Sequence, residues 1–151
     1  MAIANDSNTK AAKSILLVED SDNDALLFER SLRRIRGLNI VGRVKDAQSA
    51  IGYLKGEGQF DDRKHYPYPD IVILDLAMPN SDGFQLLQWA QHRKPRPVLA
   101  VFTGLADEPA RRRAELLGAD LYENKAWDPE VFDRFIHFVT NIADVKKQHN
   151  I

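Results

Sequence analysis

The 151-residue chain contains no cysteine. Disulfides, thiol nucleophiles and thiolate metal sites are therefore excluded. It also lacks an excess of either charge: 21 Lys and Arg stand against 22 Asp and Glu, for a formal net charge of −1. That balance excludes a strongly basic nucleic-acid coat and a polybasic membrane anchor, so neither nucleic acid nor membrane is an expected partner. No apolar run approaches the ~18 residues of a membrane span. The stretch Ile15–Val18 is too short for a signal-peptide core, and Glu19 and Asp20 follow it directly. The reading is a cytoplasmic protein. Internal repeats and low-complexity blocks are absent. The histidines, His65, His92, His137 and His149, show no metal-binding spacing and read as surface residues.

What is present is an ordinary globular composition, 44% hydrophobic and 28% charged, at a length that suits one domain. Residues 1–13 are small and polar, and are expected to form a flexible tail ahead of a domain spanning 14–147. Short apolar runs then alternate with amphipathic stretches. Strands are expected at Ser14–Val18, Leu38–Val44, Ile71–Leu74, Val98–Phe102 and Leu121–Tyr122. The first helix is expected to hold Leu26, Leu27, Arg30, Leu32 and Ile35 and to stop by Gly37. The second follows Asp46 as N-cap, carries Ala47, Ala50, Ile51 and Leu54, and ends near Gly56. The polar connection Glu57–Pro69 is long for a compact domain. The third helix holds Phe84, Leu86, Leu87 and Ala90, the fourth covers Glu108–Leu117, and the last opens at Asp128-Pro129 and runs to about Lys146. Five strands alternating with five helices imply an α/β fold with a parallel sheet covered on both faces.

Ligands of such sheets bind outside the carboxyl ends of the strands. Glu19 and Asp20 follow the first strand, Asp75 the third, Thr103 the fourth and Lys125 the fifth. Carboxylates this close repel one another unless a cation shares the site. All-oxygen ligands suit Mg²⁺, Mn²⁺ or Ca²⁺, and Mg²⁺ leaves room for a phosphate. Thr103 and Lys125 would donate to phosphoryl oxygens, and Asp75 could serve as nucleophile. Taken singly, each residue has a plainer reading: Asp20 or Asp22 as a helix cap, Thr103 as a turn residue, Lys125 as a solvated charge. Their shared place at the strand ends favours a metal-assisted phosphoryl-transfer site.

The segments Val18-Glu19-Asp20, Leu74-Asp75-Leu76-Ala77-Met78-Pro79-Asn80-Ser81-Asp82-Gly83, Phe102-Thr103-Gly104 and Tyr122-Glu123-Asn124-Lys125 together resemble the receiver domain of two-component response regulators. The resemblance implies a doubly wound, five-stranded, flavodoxin-like (CheY-like) sheet of order 2-1-3-4-5. It implies that Asp75 accepts a phosphoryl group from a sensor histidine kinase or a phosphotransfer protein. Glu19, Asp20, Asp75 and the backbone carbonyl of Ala77 would hold Mg²⁺, with Mn²⁺ as a substitute. Thr103 and Lys125 would bind the phosphoryl oxygens, and Tyr122 would turn inward as Thr103 moves. Self-phosphorylation and slow loss of the phosphoryl group would be its only catalysis, because neither Ala77 nor Leu105 offers a polar side chain to orient water. Three features depart from the common pattern: Glu19 where Asp is usual, Ala126 instead of proline after Lys125, and the long Glu57–Pro69 connection. The last two resemble the single-domain receivers partnered with phytochrome-type kinases.

After the fifth strand only one helix is expected, with no separate output domain, so the signal would leave through a downstream protein partner. On that helix Phe132, Ile136, Val139 and Ala143 form the expected core stripe. Val131, Phe138, Ile142 and Val145 form a second stripe, read either as cover for neighbouring helix ends or as a homodimer or partner interface. Two other readings remain open. One is a receiver-like interaction module that works without phosphorylation. The other is an aspartyl-nucleophile phosphohydrolase, disfavoured because Ala77 stands where its acid/base Asp belongs.

Overall fold

The computed structural model describes residues 12–79, 81–105, 107–125 and 127–149. The first eleven residues and the Lys125–Ala126 bond, both singled out from the sequence, lie outside them. Five strands, β1 (Lys13–Val18), β2 (Leu38–Val44), β3 (Ile71–Leu74), β4 (Val98–Thr103) and β5 (Leu121–Asn124), form one parallel sheet of order β2-β1-β3-β4-β5. The helices are α1 (Asp22–Leu32), α2 (Ala47–Lys55), α3 (Gly83–Ala90), α4 (Glu108–Leu116) and α5 (Pro129–His149). Every residue of β3 and of β4 is buried, as an unbroken apolar run in a sheet covered on both faces requires.

Alternation along the strands divides the core in two. Leu16, Val18, Val72, Leu74, Leu99 and Val101 face α2, α3 and α4. Ile15, Leu17, Ile71, Ile73, Ala100 and Phe102 face α1 and α5. The second layer is aromatic: Phe102 stacks on Phe135 at 5.0 Å and meets Phe28 and Phe132 edge-on at 6.1 and 5.9 Å.

Helix caps follow the sequence signals. Asp46 accepts from Ser49 N at 2.7 Å, and Asp128 Oδ1 accepts from Glu130 N at 2.8 Å. Gly56 ends α2 in the left-handed region at φ 69°.

Three expectations are corrected. The α1 helix ends at Leu32 and buries Ala25, Phe28 and Leu32. Leu26 and Leu27, whose helical spacing marked this helix in the sequence, are 41% and 38% exposed. The reason is geometric: Ala25, Phe28 and Leu32 share one face at helical spacing, and Phe28 is the side chain that reaches Phe102 and Phe132. Helix α5 continues to His149, three residues past its expected end. The connection between α2 and β3 is not merely a polar loop. It holds a short 3₁₀ turn, Gly58–Phe60. There Arg63 donates to the carbonyls of Tyr53, Leu54 and Tyr66, closing the end of α2 where carbonyls have no helical partner.

Candidate functional site

The last ladder bonds of the sheet carry the site residues to one edge. Glu19 N donates to Val44 O at 3.0 Å, Asp75 N to Val18 O at 3.1 Å and Lys125 N to Thr103 O at 2.7 Å. Each site residue is thus registered against the end of a neighbouring strand.

The loop after β3 shows why its residue pattern is needed. Met78 is buried in the core, and Asp82 caps α3 by accepting from Phe84 N at 3.0 Å. A Cβ at Gly83 would lie 3.0 Å from both the Asp75 carbonyl oxygen and Leu76 Cδ2, so a side chain there would require the loop after β3 to give by a few tenths of an ångström. Ser81 Oγ accepts from Ala47 N at 2.9 Å, tying the loop to the start of α2.

Asp75 is 5% exposed, and both of its carboxylate oxygens are hydrogen-bonded. Its Oδ1 accepts from Thr103 Oγ1 at 2.7 Å and from Ala77 N at 2.9 Å; its Oδ2 accepts from Lys125 Nζ at 2.9 Å. Lys125 Nζ also donates to Glu19 Oε1 and, at 2.9 Å, to Asp24 Oδ2. The ammonium therefore spends its three donors on three carboxylates. Burial alone would lower its proton affinity, but the bonds to Glu19, Asp24 and Asp75 outweigh that and hold it above the usual lysine range.

The two carboxyls beside it respond differently. Burial pushes the Glu19 carboxyl up, and the Lys125 contact does not offset it. Burial acts on Asp75 in the same sense, but the Thr103 hydroxyl, the Ala77 N–H and Lys125 together hold it below the usual range. The difference lies in the number of donors: Glu19 receives, besides Lys125, only Ser21 N at 3.2 Å.

Glu19, Asp20 and Asp75 each present an oxygen within 4.8 Å of the others. Asp20 is half-buried and makes no side-chain hydrogen bond or ion pair among the described residues. An unbonded carboxylate beside two buried ones, with oxygen donors only, fits a hard divalent cation. Ala77, whose carbonyl was assigned to the metal, is exposed in the loop directly after Asp75.

The strand-end residues expected from the sequence therefore meet, and Thr103 combines a turn role, accepting from Leu105 N, with its bond to Asp75. Thr103 is fully buried, and the Lys125 side chain is 9% exposed. Ser21, not Asp20 or Asp22, caps α1, accepting from Asp24 N at 3.2 Å; Asp22 instead pairs with Arg43 at 2.7 Å. Arg43 Nε also donates to the Glu19 carbonyl at 2.9 Å, fixing the loop that carries the acidic pair. Sequence reasoning missed both Arg43 and Asp24. Tyr122 lies inward, 8% exposed, and its hydroxyl donates to the Leu105 carbonyl, while Leu105 N donates to Thr103 Oγ1 at 3.1 Å. The second α5 stripe lies away from this edge: Val131 and Ile142 are half-buried, whereas Phe138 and Val145 are 48% and 51% exposed. All of the histidines are exposed.

A family model for the response regulator receiver domain matches residues 15–137. The chain belongs to the response regulator receiver family. This receiver is 28% identical over 138 residues to "Probable transcriptional regulator ycf27" of Porphyridium aerugineum, covering 91% of this chain. It spans about half that relative's length, 52%. Among solved structures it is similar to the bacteriophytochrome response regulator RtBRR, with TM-score 0.72 and 27% identity over 85% of this chain and 78% of that one. It is also similar to the phosphorylated cyanobacterial phytochrome response regulator RcpA, with TM-score 0.70 and 25% identity over 87% and 91%. The receiver is a two-component signalling domain with the CheY-like fold expected from its sequence. Among its described residues no helix is long and apolar enough to cross a membrane.

Removing the ammonium should expose the charge it balances. We expect Lys125→Met to cost about 2 kcal/mol in metal-free buffer at neutral pH, below the range for fully buried pairs because Asp24 is a third exposed. Without Lys125 the carboxyls repel, so their folded-state pKa values rise above the unfolded ones. A group shifted this way stabilises the fold below its unfolded pKa and loses that effect as pH rises through its folded pKa. The deficit, read by urea unfolding with chelator present, should therefore shrink as pH falls toward about 5. A deficit that stays constant or grows on acidification contradicts the assignment.

Proposed function

We propose that Asp75 accepts a phosphoryl group from a sensor histidine kinase or a phosphotransfer protein, and that the chain relays the signal through protein contacts. The observation carrying this reading is the convergence on Asp75 of Thr103, Lys125 and the Glu19–Asp20 pair. Likeness to the receivers RtBRR and RcpA favours a phytochrome-type kinase as donor.

In the transfer, an Asp75 oxygen forms a bond to phosphorus as the phosphorus–nitrogen bond of the donor phosphohistidine breaks, and the departing imidazole takes a proton. Glu19, Asp20, Asp75 and the Ala77 carbonyl would hold Mg²⁺, or Mn²⁺ in its place, and the bound ion would supply charge neutralisation. Lys125 pairs with one new oxygen, and the Thr103 hydroxyl, now bonded to Asp75, turns to another. Movement of Thr103 withdraws the acceptor of the Leu105 N–H, and Leu105 holds the Tyr122 hydroxyl. A charge change at Asp75 is thereby coupled through one short loop to the inward-lying side chain of Tyr122 on β5. Such a switch needs two arrangements of similar energy. Ala77 and Leu105 offer no side-chain group to position water, which favours slow loss of the phosphoryl group.

Incubation with Mg²⁺ and acetyl phosphate tests the reading by intact mass. One added phosphoryl group is expected, absent in Asp75→Asn and in chelator. Retention of the label in Asp75→Asn overturns it; release of phosphate from many small esters indicates a hydrolase instead.

The exposed pair Phe138 and Val145 is the part of the second α5 stripe left to a partner, and we take a second copy of the chain as that partner. Sedimentation velocity should show concentration-dependent dimers that Phe138→Glu reduces to monomers. A wild-type chain that stays monomeric throughout contradicts this.

A further inference from the structure

Lys125 has more counter-charge than the transfer chemistry uses. Two of its partners, Glu19 and Asp75, also lie in the three-carboxylate cluster. Asp24 does not belong to that cluster. It sits in the first turn of α1, and its Oδ2 accepts from Lys125 Nζ at 2.9 Å.

This division has a consequence during the reaction. A cation at the cluster draws on the charge of Glu19 and Asp75, and phosphorylation converts the Asp75 carboxylate into an acyl phosphate. The cation weakens the hold of Glu19 and Asp75 on the ammonium, and phosphorylation replaces the Asp75 carboxylate oxygen with a phosphoryl oxygen as its partner. Asp24 alone keeps its full charge and its place. A long lysine chain with fewer fixed partners would regain rotamer freedom. The residue after Lys125 is alanine, so no proline ring restrains the backbone there.

We propose that Asp24 is a positioning residue that keeps the Lys125 ammonium pointed at Asp75 while cation and phosphoryl group occupy the other carboxylates. A plainer role is available: an acidic side chain in the first helical turn favours the helix dipole. That role does not require Lys125, and this distinguishes the two. The Ser21 cap is taken by the backbone N–H of Asp24, so Asp24→Asn leaves it intact.

The proposal rests on Asp75 as phosphoacceptor, and its test has one arm independent of that. In metal-free full-length protein, the Lys125 ammonium protons are followed by ¹H–¹⁵N NMR and assigned by their loss in Lys125→Gln. Asp24→Asn should accelerate their exchange ~10-fold, and Asp24→Glu should restore slow exchange. In the second arm, acetyl phosphate labels the Mg²⁺-loaded protein. Asp24→Asn should slow labelling ~10-fold, with no further loss when added to Lys125→Gln. Unchanged ammonium exchange in Asp24→Asn overturns the proposal. So does a labelling defect of the same size in the Lys125→Gln background, which would indicate a role through the helix alone. Failure of the wild-type chain to take any label would sink the phosphoacceptor reading and leave the ammonium arm to decide Asp24.

Discussion

One ammonium among carboxylates is the constraint on which this edge of the molecule depends. Lys125 gives its donors to Glu19, Asp24 and Asp75, while Asp20 stands beside them without a bonded partner among the described residues. Four carboxylates facing one lysine leave the site short of positive charge. In water such repulsion would be small; behind a sheet edge where Glu19 and Asp75 are each about 5% exposed, it is screened far less. The shortage is what makes the site receptive to a divalent cation. It also explains why Asp75 draws on Thr103, the Ala77 N–H and Lys125 together to hold its carboxyl below the usual range.

The rest of the fold holds that constraint in place. Parallel strands end at the same edge, and the final ladder bonds register Glu19 against β2, Asp75 against β1 and Lys125 against β4. Two apolar layers fix the sheet from either side, so the strand ends cannot drift apart. Local chemistry then sharpens the loops. Gly83 lets α3 begin against the Asp75 backbone, Ser81 ties that loop to α2, and Arg43 braces the Glu19 carbonyl. The proposed switch starts from the same carboxylate: Thr103, Leu105 and Tyr122 form one chain of hydrogen bonds from Asp75 to β5.

Most of this was legible in the sequence where one residue type answers to one physical demand. Unbroken apolar runs at Ile71–Leu74 and Val98–Phe102 read as strands covered on both faces, and Asp46, Gly56 and Asp128 mark helix ends by their own chemistry. Meeting of the strand-end residues followed from topology. What escaped depended on choices between equivalent positions. Leu26 and Phe28 are both apolar on α1, and only packing against Phe102 selects the second. Asp24 follows Ser21 at cap spacing and so reads as a helix-start residue. No count of partners pointed to it, because the strand-end pattern already offered three carboxylates, Glu19, Asp20 and Asp75, for the three donors of the ammonium. Arg63 was hidden in a polar connection, because its three backbone acceptors come from tertiary structure.

The central claim is that the Asp75 carboxylate can bind a phosphoryl group while a divalent ion and Lys125 offset the surrounding negative charge. Fluorine NMR with beryllium fluoride, a phosphoryl mimic that bonds to a carboxylate oxygen, tests it without any kinase. Bound fluorine resonances should appear when the protein, beryllium fluoride and Mg²⁺ are all present, and vanish with chelator or in Asp75→Asn. Bound resonances that persist in Asp75→Asn, or their absence from the wild-type chain with Mg²⁺, would contradict it.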